Sequence, residues 1–184
     1  MQRVKRSFDY KFDRRTIILT VLILLLCTAG AVLLYTLYTG GFFSAWFVSF
    51  VLALIALMIL SIPRRIVLLD NKVEIQCIFD ITEIDIAEIA QIQKVEKDTL
   101  RWTVLLFGSS GFFGYYGKYF DLKEFEIVNI YASEWNNFVE IIDIYDSRTY
   151  VSCRDAEALI ASINEQRNNI QEITAESPLP QRHI

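Results

Sequence analysis

Histidine is almost missing from this chain. The 184 residues include one, His183, in a polar C-terminal stretch, which leaves no material for a His-based triad or a His-rich metal cluster. Cysteine is scarce as well: Cys27, Cys77 and Cys153 stand far apart in apolar surroundings. None has zinc spacing, and the pattern fits a reducing compartment without a disulfide framework. The most informative absence is charge. Residues 16–62 carry no Asp, Glu, Lys or Arg.

Charge is also divided between the two parts of the chain. Residues 1–63 hold six Lys/Arg against two Asp/Glu, and the remainder holds twelve against twenty, for a net charge of −4. The C-terminal part is therefore acidic. It lacks the clustered Lys and Arg that phosphate neutralisation needs, which argues against nucleic acid and against inositol phosphates as ligands.

What fills the uncharged stretch is aliphatic. Thr16 to Tyr38 and Phe42 to Ile62 form two apolar runs, each long enough as a helix to cross about 30 Å of hydrocarbon. Only Thr39, Gly40 and Gly41 separate them, so the spacing predicts an antiparallel transmembrane hairpin over residues 16–62. Both runs exceed the 7–15 apolar residues or so of a signal peptide. Tyr35, Tyr38, Phe42, Phe43 and Trp46 gather at the connector as an interfacial aromatic belt. Arg3, Lys5, Arg6, Lys11, Arg14 and Arg15 precede the first run, and Arg64 and Arg65 follow the second. With no Lys or Arg in the connector, the positive-inside rule predicts both termini in the cytoplasm, at the cell membrane. Residues 1–15 read as a basic segment supplying this topogenic charge.

Past Pro63 the pattern becomes one of short β-prone runs. Ile66–Leu69 and Val73–Phe79 flank Asp70–Asn71, a two-residue hairpin turn. Further strands are predicted around Thr82–Ile86, Ile89–Val95, Lys118–Leu122, Glu126–Ala132, Phe138–Tyr145 and Thr149–Cys153. Ala156, Leu159, Ile160 and Ile163 then repeat at helical spacing, with Ser152 as the expected cap. Residues 167–184 lack an apolar period and read as a disordered tail.

About seven antiparallel strands closed by one C-terminal helix, over residues 64–166, is the layout of a pleckstrin-homology-like barrel or sandwich. Together with Phe107-Gly108-Ser109-Ser110-Gly111-Phe112-Phe113-Gly114-Tyr115-Tyr116-Gly117, it resembles the bacterial PH-domain membrane proteins, in which two spans precede such a domain. The resemblance implies a membrane-anchored α+β fold and no particular chemistry. Classical members bind inositol phosphates through basic residues in an early loop; here that turn holds Asp70 and Asn71 beside only Lys72.

No catalytic set, cofactor motif or metal motif emerges. Gly108, Gly111, Gly114 and Gly117 lack the Lys-Ser/Thr and the helix of a phosphate loop. Asp80, Glu83, Asp85 and Glu88 have the spacing of a strand's wet face. Phe112, Phe113, Tyr115 and Tyr116 are the candidate contact residues, an apolar patch for a partner, the bilayer surface or the hairpin itself. The expected function is non-enzymatic: a membrane-tethered module binding a protein partner, with self-assembly or lipid response as alternatives.

Overall fold

Alternation of apolar and polar residues builds most of the strands where it predicts them. A computed structural model describes residues 6–10, 13–37, 42–60, 62–78 and 81–176. Strands β2 (Pro63–Leu68) and β3 (Lys72–Cys77) pair as an antiparallel hairpin. The Leu69 N–H donates to the Lys72 carbonyl at 2.9 Å, closing the Asp70–Asn71 turn. Strand β4 (Ile81–Asp85) continues this sheet. A short 3-10 turn over Ile86–Glu88 carries the chain into a second sheet. That sheet contains β5 (Ile89–Val95), β6 (Thr103–Ser110), β7 (Tyr115–Asp121), β8 (Glu126–Ala132), β9 (Phe138–Asp143) and β10 (Arg148–Ser152). Their spatial order is β5-β9-β10-β8-β7-β6.

The first sheet has a fourth member. Residues Arg6–Asp9 form a strand, β1, antiparallel to β2, with Asp9 opposite Arg65 and Arg6 opposite Leu68. Phe8 on this strand enters the main core. Residues 6–9 of the basic N-terminal segment are thus part of the first sheet. Between β1 and β2 the chain makes two helices, α1 (Arg14–Leu37) and α2 (Phe42–Leu60). The helical pair is an insertion into the link between two hydrogen-bonded strands. Among the described residues, α1 is the one helix long and apolar enough to cross a membrane; α2 spans 19 residues. The helices pack side by side and enclose an apolar cleft of about 540 Å³ lined by Cys27, Ala31, Val48 and Val51.

Of the expected barrel or sandwich the structure forms a sandwich, and it departs from the predicted layout in four ways. The described residues hold ten strands in two sheets, and no strand pair joins one sheet to the other, so no barrel closes. The strands are not all antiparallel, because β10 runs parallel to β8. Helix α3 extends over Ala156–Glu176, which replaces the first ten residues of the expected tail; residues 177–184 lie outside the described part. Nor does Ser152 cap this helix. It ends β10, and its Oγ accepts the Ser133 N–H at 3.1 Å.

The main core lies between the sheets. Ile66, Val73 and Ile75 meet Val139, Ile141 and Val151, and α3 closes one side with Ala156, Leu159 and Ile163. The predicted helical stripe is therefore the buried one. A second core occupies the opposite face of the larger sheet, where Leu100, Tyr119, Val128, Ile130, Phe138 and Tyr150 pack together. Alternation explains this: Phe138 and Tyr150 point one way, Val139 and Val151 the other.

Candidate functional site at the seam of α1 and the β6–β7 turn

Two threonines one helical turn apart fasten α1 to the sandwich. Thr16 is 1% exposed and Thr20 7%, which is unusual on a helix whose other faces are bare. The Thr20 hydroxyl donates to the Thr16 carbonyl at 2.7 Å and accepts the Phe113 N–H at 2.9 Å. The Thr16 hydroxyl reaches the Ser133 carbonyl at 3.4 Å, and the Ser133 N–H continues to Ser152. A hydroxyl on a helix satisfies its own donor by bonding back four residues, leaving its lone pair for an incoming N–H. The seam therefore joins the start of α1 to the ends of β7, β8 and β10.

The turn between β6 and β7 is shaped to approach this helix. The Gly111 N–H donates to the Gly114 carbonyl at 2.8 Å, and the Ser109 hydroxyl to the Phe112 carbonyl at 2.6 Å. Gly111 has a φ of +98°, and a β-carbon there would sit 2.6 Å from Leu19 Cδ2. Further back, Gly108 and Gly117 face each other across the strands. A β-carbon on Gly108 would lie 2.0 Å from the Tyr116 carbonyl oxygen, so this crossing admits no side chain.

The four candidate aromatics take different places in this seam. Phe112 and Tyr116 are buried, while Phe113 and Tyr115 are half-buried. Phe112 and Phe113 meet edge to face at 4.7 Å, and Tyr115 leans on Trp135 at 4.6 Å. Burial pushes the Tyr116 phenol up to about 12. This segment contacts the chain's own first helix, through the Phe113 N–H to Thr20 and through Gly111 beside Leu19. Sequence reading missed Thr16 and Thr20, whose i, i+4 spacing at the base of an apolar helix was the available signal. Arg14, Arg15, Arg64 and Arg65 are exposed at the bases of the two helices. Arg6 instead belongs to β1, and its guanidinium donates to Ser162 Oγ at 2.7 Å; Arg3, Lys5 and Lys11 lie outside the described residues.

The buried titratable groups of the sandwich are engaged with their neighbours. The buried Glu140 carboxylate accepts from the Tyr150 hydroxyl and from Gln93 Nε2, both at 2.6 Å. Burial, with Glu140 beside it, holds the Tyr150 phenol well above its ordinary value. Cys153 is buried, and desolvation raises its thiol to about 11, away from thiolate reactivity. No group of three metal-ligating side chains occurs among the described residues. At the early turn, Lys72 is paired to Glu83 at 2.5 Å, so its charge is already engaged.

A different surface is open. The smaller sheet meets β8 at Tyr131, where the Thr82 hydroxyl donates to the Tyr131 hydroxyl at 3.2 Å, and the far end of β6, β7 and β8 overhangs it with Val104, Phe107 and Ile127 exposed. On that face Val104, Phe120 and Ile127 stand side by side in register. Phe125 packs edge to face on Phe120 at 6.3 Å, and Phe107 is 81% exposed. Strand β6 ends the sheet.

The profile of the family described as Bacterial PH domain matches residues 64–167. No curated protein and no solved structure matches the chain. The matched stretch takes in β2 to β10 and the first half of α3, more than half the sequence. The chain belongs to the bacterial PH domain family.

Proposed function

We propose that this chain is a non-catalytic, membrane-tethered interaction module. In this reading α1 and α2 both cross the bilayer, and the sandwich sits on the cytoplasmic side with both chain ends. It presents the overhanging β6 edge to a protein partner. The observation that carries the reading is the pairing of β1 with β2. Strands paired across the helical insertion return its two ends to one side, which supports two crossings over one. The exposed Arg14, Arg15, Arg64 and Arg65 at that place favour the cytoplasmic side. The seam at Thr16 and Thr20 then fixes the pose of the sandwich at the membrane surface.

Recognition through an inositol phosphate or nucleic acid finds no support in a domain whose early-turn lysine is ion-paired. A structural, self-assembling role is favoured by the uncovered apolar edge. The test is topology together with extraction. Reporters fused before Met1 and after Ile184 are expected to signal the cytoplasmic side, and a reporter at Gly40 the opposite side. Release of the full chain by carbonate wash without detergent, or opposite signals from the two ends, overturns the proposal.

A further inference from the structure

We infer that the partner at the β6 edge is a second copy of this chain, an inference that rests on the interaction-module reading above. Sheet edges normally carry charge, proline or a cover that prevents strand-to-strand association. Three of the four edges here comply. Strand β1 has Arg6 and Asp9, and β4 has Glu83 and Asp85. Strand β5 carries Lys94, ion-paired to Glu157 on α3 at 2.8 Å, and Arg167 on α3 donates to the Ala90 carbonyl. Strand β6, Thr-Val-Leu-Leu-Phe-Gly-Ser-Ser, has no charge, no proline and no cover among the described residues.

The face beside this edge is largely apolar, with the exposed Lys118 opposite Phe107 as its one cation in register. Trp102, Val104, Leu106, Phe107, Phe125 and Ile127 are all at least half exposed. With roughly 150–250 Å² per fully exposed aromatic side chain, they offer on the order of 600–800 Å², close to the 800 Å² or so each partner contributes to a standard interface. An apolar face needs an apolar face opposite. The corresponding overhang of another copy is such a face, held by its own helices in the same bilayer with the same side facing the cytoplasm. An isologous contact joins like patches about a two-fold axis, and an axis along the membrane normal satisfies both tethers. The domain's net negative charge, twelve Lys/Arg against twenty Asp/Glu after residue 63, disfavours approach through its charged surfaces and favours this edge.

The experiment uses the full chain in its native membrane, with a photoreactive phenylalanine analogue at Phe107 or, as the control, at Tyr145. Tyr145 is similarly exposed but lies in the β9–β10 turn. Expected is a covalent homodimer, identified by mass spectrometry, from position 107 and not from 145. Adding Leu106→Lys is expected to reduce that product about tenfold, since a lysine would be buried unpaired in the contact. Because Leu106 is exposed, unchanged thermal unfolding of this variant separates lost association from misfolding. Adducts to lipid alone show the face lying on the bilayer and overturn the inference. Adducts to a different protein also overturn it, while leaving the interaction-module reading intact. No adduct at position 107, with monomers at every concentration, overturns both.

Discussion

Thr20 is a small residue with a large share in how the first helix meets the sheets. Its hydroxyl is the partner of the Phe113 N–H. Thr20→Val keeps the shape and removes the acceptor, so it is expected to cost about 1–3 kcal/mol of stability, the penalty of stranding a buried donor. Thr20→Ser keeps the oxygen and is expected to cost much less. Chemical unfolding of the detergent-solubilised chain reads the difference. Gly108 permits no such tolerance. Ala there must overlap the Tyr116 carbonyl at a φ of +132°, and the expected loss exceeds about 2 kcal/mol. At Gly111 the obstacle is the tip of Leu19, so Leu19→Ala is expected to relieve part of the Gly111→Ala defect but not its backbone strain.

The buried acids set an alkaline limit. Cys153 is raised to about 11 from 9.0, and Tyr116 to about 12 from 10.0. In each case the unfolded chain loses the proton first. The stabilisation is complete below pH 9 and fades as pH rises through the folded values. Unfolding midpoints measured from pH 8 to 11 are expected to fall. At pH 8, Cys153 is expected to resist alkylation until the chain is unfolded, as followed by mass spectrometry.

Elements differ in how openly the sequence announces them. The β2–β3 hairpin and β8 are legible because alternation, turn residues and β-branched side chains agree. Strand β6 is hidden by its final Gly-Ser-Ser and by two consecutive leucines, Leu105 and Leu106, at a bulge that breaks the period of two. Strand β1 is hidden by its neighbours: Phe8 and Tyr10 alternate correctly, but the surrounding basic residues read as topogenic charge. Its partner β2 lies beyond the whole helical pair, and no local pattern reports a pairing so distant. The second half of α3 is polar, although Ile170, seven residues past Ile163, packs against the main core and was the missed cue. The seam was legible as a glycine-aromatic segment, not as to what it touches. Truncating Phe8 tests whether β1 is structural. Phe8→Ala is expected to lower stability by about 3 kcal/mol, as removal of a core aromatic does, whereas a merely topogenic segment would tolerate it.

At the scale of the whole molecule, the family match and the folded unit have different boundaries. The match begins at residue 64, yet the first sheet is completed by residues 6–9. A fragment of residues 62–176 therefore bares the edge of β2 and part of the main core. It is expected to melt at least several degrees below the full chain, since about 1 kcal/mol shifts the midpoint of a domain this size by roughly 4–8 °C. Calorimetry of both proteins checks this; equal midpoints would make β1 an ornament.

That boundary has a consequence for the order of events on the ribosome. The strand that emerges first has nothing to pair with until its partner follows about fifty residues later, some 3–10 s at synthesis rates of roughly 5–20 residues per second. During that interval both helices are made, so the first sheet cannot be completed before both helices exist. Closure of the first sheet thereby marks the point at which the whole helical insertion has been synthesised.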